Sequence, residues 1–149
     1  MLETLNRVKL SQRDALLLES LRGLGWSDEE MLLRVTEGDL PVDESKYHFD
    51  YKRLTALQAE KPEEFEQAVH EGYQIKYNTI RGIRSWISIA LGKEAALELE
   101  EGKEAAEAAL TIAEKNRLEA ALSFGWQIHG GSQTATGATE VYRIEPIQR

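Results

Sequence analysis

The chain contains no cysteine and only three histidines. The first absence excludes disulfides, thiolate metal sites and cysteine nucleophiles together, and it fits a reducing compartment. The histidines, His48, His70 and His129, show no HExxH spacing, and no two share a helical face at i, i+4, so no metal site is expected. No nucleophile elbow of the G-x-S-x-G type occurs. The glycine-rich run GGSQTATG, residues 130–137, has neither the lysine nor the spacing of a phosphate loop, so it reads as a turn and no cofactor is expected. The longest apolar run, residues 85–91, falls far short of the roughly 20 residues of a membrane span. The charged start MLETLNRVKL lacks the apolar core of a secretory signal. These absences favour a cytoplasmic protein without membrane partners.

What remains is acidic and of ordinary apolar content. The 149 residues carry a formal net charge of −8, and 42% are hydrophobic, enough for one compact domain, 1–149, with a normal core. Residues 1–71 hold 16 acids against 9 bases, residues 72–93 hold none against four, and residues 94–149 hold ten against five. Paired acids such as Glu29-Glu30, Glu63-Glu64 and Glu100-Glu101 fall in expected first turns or on exposed helix faces. Solvated carboxylates there lack the burial that raises a general acid's pKa, so a non-enzyme is expected.

The punctuation predicts a mainly α fold: a compact multi-helix domain of six or seven helices with a C-terminal β-hairpin. Ser11 caps a first helix whose apolar face is Leu16, Leu17, Leu18, Leu21 and Leu24, ending at Gly25. Ser27-Asp28-Glu29-Glu30 opens a second, to about Glu37, closed by Gly38 and Pro41. Phe49–Ala59 reads as a third. Lys61-Pro62-Glu63-Glu64 starts a fourth, with proline in the first turn and acids facing the positive end of the dipole; Gly72 ends it, unless the stripe runs on through Tyr73 as one long helix. A fifth runs from about Thr79 to Leu91. Residues 93–110, rich in Ala, Glu and Leu, suit helix with an interruption near Gly102. Thr111 and Glu114 open a last helix to about Ser123. WQIH and ATEVYRIEP then alternate as two strands of a hairpin. The organisation is thus a helical region spanning 1–92, Ala/Glu-rich helices over 93–123 and a hairpin appendage at 124–149.

One internal echo stands out. LSQRDALLLESLRGLGW at 10–26 aligns without gaps on LTIAEKNRLEAALSFGW at 110–126, with Leu, Leu, Glu, Gly and Trp shared at 10/110, 18/118, 19/119, 25/125 and 26/126. It implies that Trp26 and Trp126 each leave a helix end and fold back onto the core.

The basic segment 72–93 carries the functional expectation. At 100° per residue, Ile80, Ile83, Trp86, Ile87, Ala90 and Leu91 share one arc. Arg81, Arg84, Ser85 and Ser88 lie opposite, with Gly82 and Ile89 outside the division. Arginine can fork to phosphate or guanine and serine can donate to phosphate. Lys76 before the helix and Asn78 and Thr79 at its start complete the candidate binding set. The span EEFEQAVHEGYQIKYNTIRGIRSWI resembles the helix-turn-helix pattern, in which an alanine precedes a turn glycine by four residues, here Ala68 and Gly72. Gln67 and Glu71 stand where that pattern wants apolar side chains, and 72–79 exceeds its three- to four-residue turn. A helix followed by GWQI, a glycine-rich loop and VYRIEP also resembles the last helix and wing of winged-helix proteins, although that loop has no Lys or Arg. Both resemblances imply a DNA-binding regulator, with the candidate helix-turn-helix over residues 62–92. The alternative is a protein–protein interaction module using the same basic face, or the hairpin, on an acidic protein. Two arginines are few for tight binding, so a homodimer or a second contact is expected to add to them.

Overall fold

Three hydroxyl side chains start three of the helices. Ser11 Oγ accepts from the Asp14 N–H at 3.0 Å, Ser27 Oγ from the Glu30 N–H at 3.1 Å and Thr111 Oγ1 from the Glu114 N–H at 3.1 Å. Glu114 in turn accepts from the Thr111 N–H at 2.9 Å, which completes a capping box. The computed structural model describes residues 8–44, 49–130 and 139–147, so His48 and most of the glycine-rich run lie outside the described residues. The chain divides into two compact units, Met1–Gln74 and Ile75–Arg149.

In the first unit β1 (Val8–Leu10) precedes α1 (Gln12–Arg22), α2 (Asp28–Glu37), α3 (Lys52–Glu60) and α4 (Pro62–Glu71). Strand β2 (Tyr73–Ile75) follows and pairs with β1 in a two-stranded sheet. Leu17, Leu18, Leu21, Met31, Leu54 and Phe65 are fully buried between these elements. Leu24, expected on the apolar face of α1, is 55% exposed. The helix stops at Arg22, and the chain leaves through Gly25 at φ 92°. Gly72, at φ 95°, ends α4. The alternative of one long helix through Tyr73 is therefore not what forms.

The second unit overturns the mainly α expectation. Helices make up 48% and strands 21% of the structure, which is a mixed α/β fold. After α5 (Ile80–Trp86), residues 93–110 form no helix but two strands, β3 (Ala96–Glu98) and β4 (Ala105–Leu110). A turn between them carries Gly102 at φ 82°, with the Lys103 N–H donating to the Glu100 carbonyl at 2.9 Å. α6 (Ile112–Ala121) leads into β5 (Trp126–Gly130) and β6 (Glu140–Pro146). The expected hairpin exists, but as half of a four-stranded antiparallel sheet ordered β3-β4-β6-β5. Register partners include Leu97↔Ala106, Ala108↔Tyr142 and Ile128↔Ile144. Alanine favours helix intrinsically, yet in β4 it lies between two strands with α5 and α6 packed on it. Ala105, Ala106 and Ala108 are buried there, so tertiary packing overrides propensity.

The sequence echo is also structural. Leu10 and Leu110 each end a strand and are buried, Ser11 and Thr111 cap the next helix, and Leu18 and Leu118 are buried within it. Gly25 and Gly125 turn the chain at φ 92° and φ 103°. Trp26 and Trp126 follow, both half-buried.

Candidate functional site

The basic segment folds as α5 followed by a single π-helical turn, Ile87–Leu91. Thr79 is the N-cap: its hydroxyl accepts from the Gly82 N–H at 3.0 Å. Ile83, Trp86 and Ile87 are buried to 1% exposure or less and anchor the helix on its unit. Gly82 is buried as well, while Ile80 and Leu91 are only half-buried. The buried arc is thus turned about 40° toward Gly82 from the arc that the sequence alone suggests. Gly92, left-handed at φ 68°, terminates the π turn. Such turns commonly mark functional segments.

Opposite that core, Arg81, Arg84 and Ser88 are exposed and Ser85 is half-exposed. Lys76 is exposed just before the helix. Among the described residues no acid forms an ion pair with Lys76, Arg81 or Arg84. The fourth base of the segment is different: Lys93 Nζ lies 3.4 Å from Glu114 Oε1. The Thr111 backbone N–H first, and Lys93 after it, hold the Glu114 carboxyl below its ordinary value. Glu114 thus neutralises Lys93 and leaves Arg81 and Arg84 exposed on α5, with Lys76 exposed just before it.

Asn78 does not belong to that surface. It is 3% exposed, its N–H donates to Ser123 Oγ at 3.1 Å, and its Oδ1 accepts from the Ser123 N–H at 2.8 Å. A buried amide that must satisfy backbone groups cannot also meet a partner. Thr79 is exposed, but its hydroxyl is engaged as the cap. The helix gains a further cation at its far end, where the Arg117 guanidinium donates to the Ala90 carbonyl at 3.1 Å and lies 5.5 Å from the Trp86 ring centre.

Between α4 and α5 the chain forms β2, so the connection is a strand paired with β1 and not a three- to four-residue turn. The first unit holds a polar network that sequence reasoning missed. Glu19, 2% exposed, accepts from the Tyr73 hydroxyl at 2.6 Å and lies 3.5 Å from Arg22 Nε. Arg22 reaches Asp28 at 3.2 Å, and His70 Nδ1 lies 3.3 Å from the same carboxylate. Nothing local distinguishes Glu19 from the solvated acids around it, because its partner Tyr73 is 54 residues away.

Among the described residues no group of three or more metal-ligating side chains could hold an ion, and no helix is long and apolar enough to cross a membrane. Comparison with protein-family models, curated proteins and solved structures gives no match.

Proposed function

We propose that this is a non-catalytic, cytoplasmic regulatory protein that binds an anionic partner, with DNA as the ligand, through Arg81, Arg84, Ser85 and Ser88 on the α5 segment, supplemented by Lys76. The observation that supports it is three exposed cations, Arg81 and Arg84 on α5 and Lys76 just before it, that form no ion pair among the described residues, in a chain of net charge −8. The second unit as a whole is nearly neutral, with nine bases and ten acids, whereas the first holds nine against sixteen. The second unit is thus the one able to approach a polyanion. Three phosphate contacts imply a log–log salt slope of roughly −2.7. Anisotropy titration of a fluorescent random-sequence duplex at low salt tests this reading. Binding at micromolar protein with that slope is expected, and no salt-dependent binding at such concentrations rejects DNA as the ligand.

An acidic protein is the second reading, and one specific observation favours it. The strand between α4 and α5 departs from helix-turn-helix geometry. An acidic helix or loop needs only a pair of arginines, not a docked motif. The same Arg81 and Arg84 would serve it, with little dependence on a phosphate backbone.

A further inference from the structure

The four-stranded sheet of the second unit ends in two unlike edges. β3, at one end, is three residues long, carries Glu98 and lies between Glu94 and Glu100. Shortness and charge of this kind keep an edge from pairing with another chain. β5, at the other end, is the five-residue WQIHG, which holds no acid, lysine, arginine or proline.

The ladder fixes what that edge offers. The Ile147 N–H donates to the Gly125 carbonyl at 2.8 Å, so Gly125 and Ile147 form a hydrogen-bonded pair. Such pairs alternate along an antiparallel ladder. Gln127 and His129 therefore bond to Glu145 and Arg143 of β6, while Trp126, Ile128 and Gly130 turn their N–H and C=O groups outward. Among the described residues nothing pairs with those outward groups. Trp126 and Ile128 stand on the face that buries Tyr142 and Ile144, yet both are only half-buried.

We propose that β5 pairs antiparallel with β5 of a second copy of the chain, about a two-fold axis at Ile128. Full overlap sets Ile128 opposite Ile128, Trp126 opposite Gly130 and Gln127 opposite His129. The outward groups then meet one another in about six backbone hydrogen bonds. A Cβ at Gly130 would stand 2.7 Å from the Val141 carbonyl oxygen, so this position stays bare and the copy's indole can lie over it. The strand thus complements itself, large side chain opposite small and no charge opposite a like charge, which favours a second copy over an unrelated strand. Net charge does not oppose the contact, because the second unit holds nine bases against ten acids. The inference stands apart from DNA binding, and its test contains no DNA.

The test is sedimentation of the full chain, 16.8 kDa as a monomer, from about 5 to about 500 µM. The proposal expects a reversible dimer with a dissociation constant of roughly 10–100 µM, in keeping with a small interface. Over that range amide exchange should slow at least about threefold at Ile128, and less than about 1.5-fold at Gln127 and His129, which β6 already holds. Gln127→Lys plus His129→Lys, and Gln127→Glu plus His129→Glu, alter side chains on the other face of the sheet. Each variant alone should be monomeric, and an equal mixture should form the heterodimer. A monomer at every concentration, or a dimer with unchanged exchange at Ile128, overturns the proposal. So does either variant dimerising alone as the unsubstituted chain does, or a mixture of the folded variants that stays monomeric.

Discussion

Asn78 and Ser123 satisfy each other twice, the Asn78 N–H donating to the serine hydroxyl at 3.1 Å and the Ser123 N–H to the amide oxygen at 2.8 Å. This pair ties the entry of α5 to the exit of α6, and both residues are buried. The segment that presents the basic face is therefore held at its start by two buried hydrogen bonds.

Asn78→Ala leaves the buried Ser123 N–H without its acceptor, at a cost of about 1–3 kcal/mol. Urea denaturation should show that loss as a lower midpoint with an unchanged slope. A change below about 0.5 kcal/mol would mean that water reaches the site.

The two sides of α5 should separate cleanly under mutation. Arg81→Ala combined with Arg84→Ala removes exposed side chains that make no ion pair among the described residues, so stability should stay within about 0.5 kcal/mol. Ile83→Ala, at a fully buried position, should cost about 2–5 kcal/mol. Thermal melts of the two variants check the phasing directly.

Thr111→Ala removes an N-cap and should cost about 1 kcal/mol. Glu114 adds a pH dependence of known sign. Its folded pKa is lowered, by the Thr111 N–H above all, so its stabilisation is present above the ordinary glutamate range. That contribution disappears as pH falls through the lowered folded value. Glu114→Gln should therefore flatten the acid limb of a stability-versus-pH profile, and an unchanged limb would contradict the capping account.

Tyr73→Phe takes the hydroxyl donor from buried Glu19 and should destabilise the first unit by about 1–3 kcal/mol. Hydrogen exchange resolved by residue should place the loss in α1 and around β2.

The elements legible in the sequence are those written by local chemistry. Ser11, Ser27 and Thr111 at helix starts, Pro62 in a first turn and Gly38, Gly72 and Gly92 at helix ends all act within a few residues of themselves. So does the amphipathic division of α5, apart from its turn toward Gly82. The alanines of β4 were illegible because their strand state depends on β6, more than thirty residues away in register partners such as Ala108↔Tyr142. Gly102 carried the local signal, yet it marks a hairpin turn and not a break between helices. Strands β1 and β2, three residues each, are too short to announce a period. Of the candidate site, Arg81, Arg84 and Ser88 stand exposed as their helical phase suggested and Lys76 is exposed before them, whereas Asn78 is held by Ser123, a partner 45 residues away.

The measurement that tests the central claim most directly compares two pairs of substitutions of equal charge in the same DNA-binding titration. Arg81→Ala plus Arg84→Ala removes two cations from α5, and Arg13→Ala plus Lys52→Ala removes two exposed cations from the first unit. If the α5 face carries binding, the first pair should weaken affinity at least about tenfold and reduce the magnitude of the salt slope by roughly 1.8. The second pair should change affinity less than about twofold. Equal losses from both pairs would show that net charge, and not this face, governs binding, and would contradict the account.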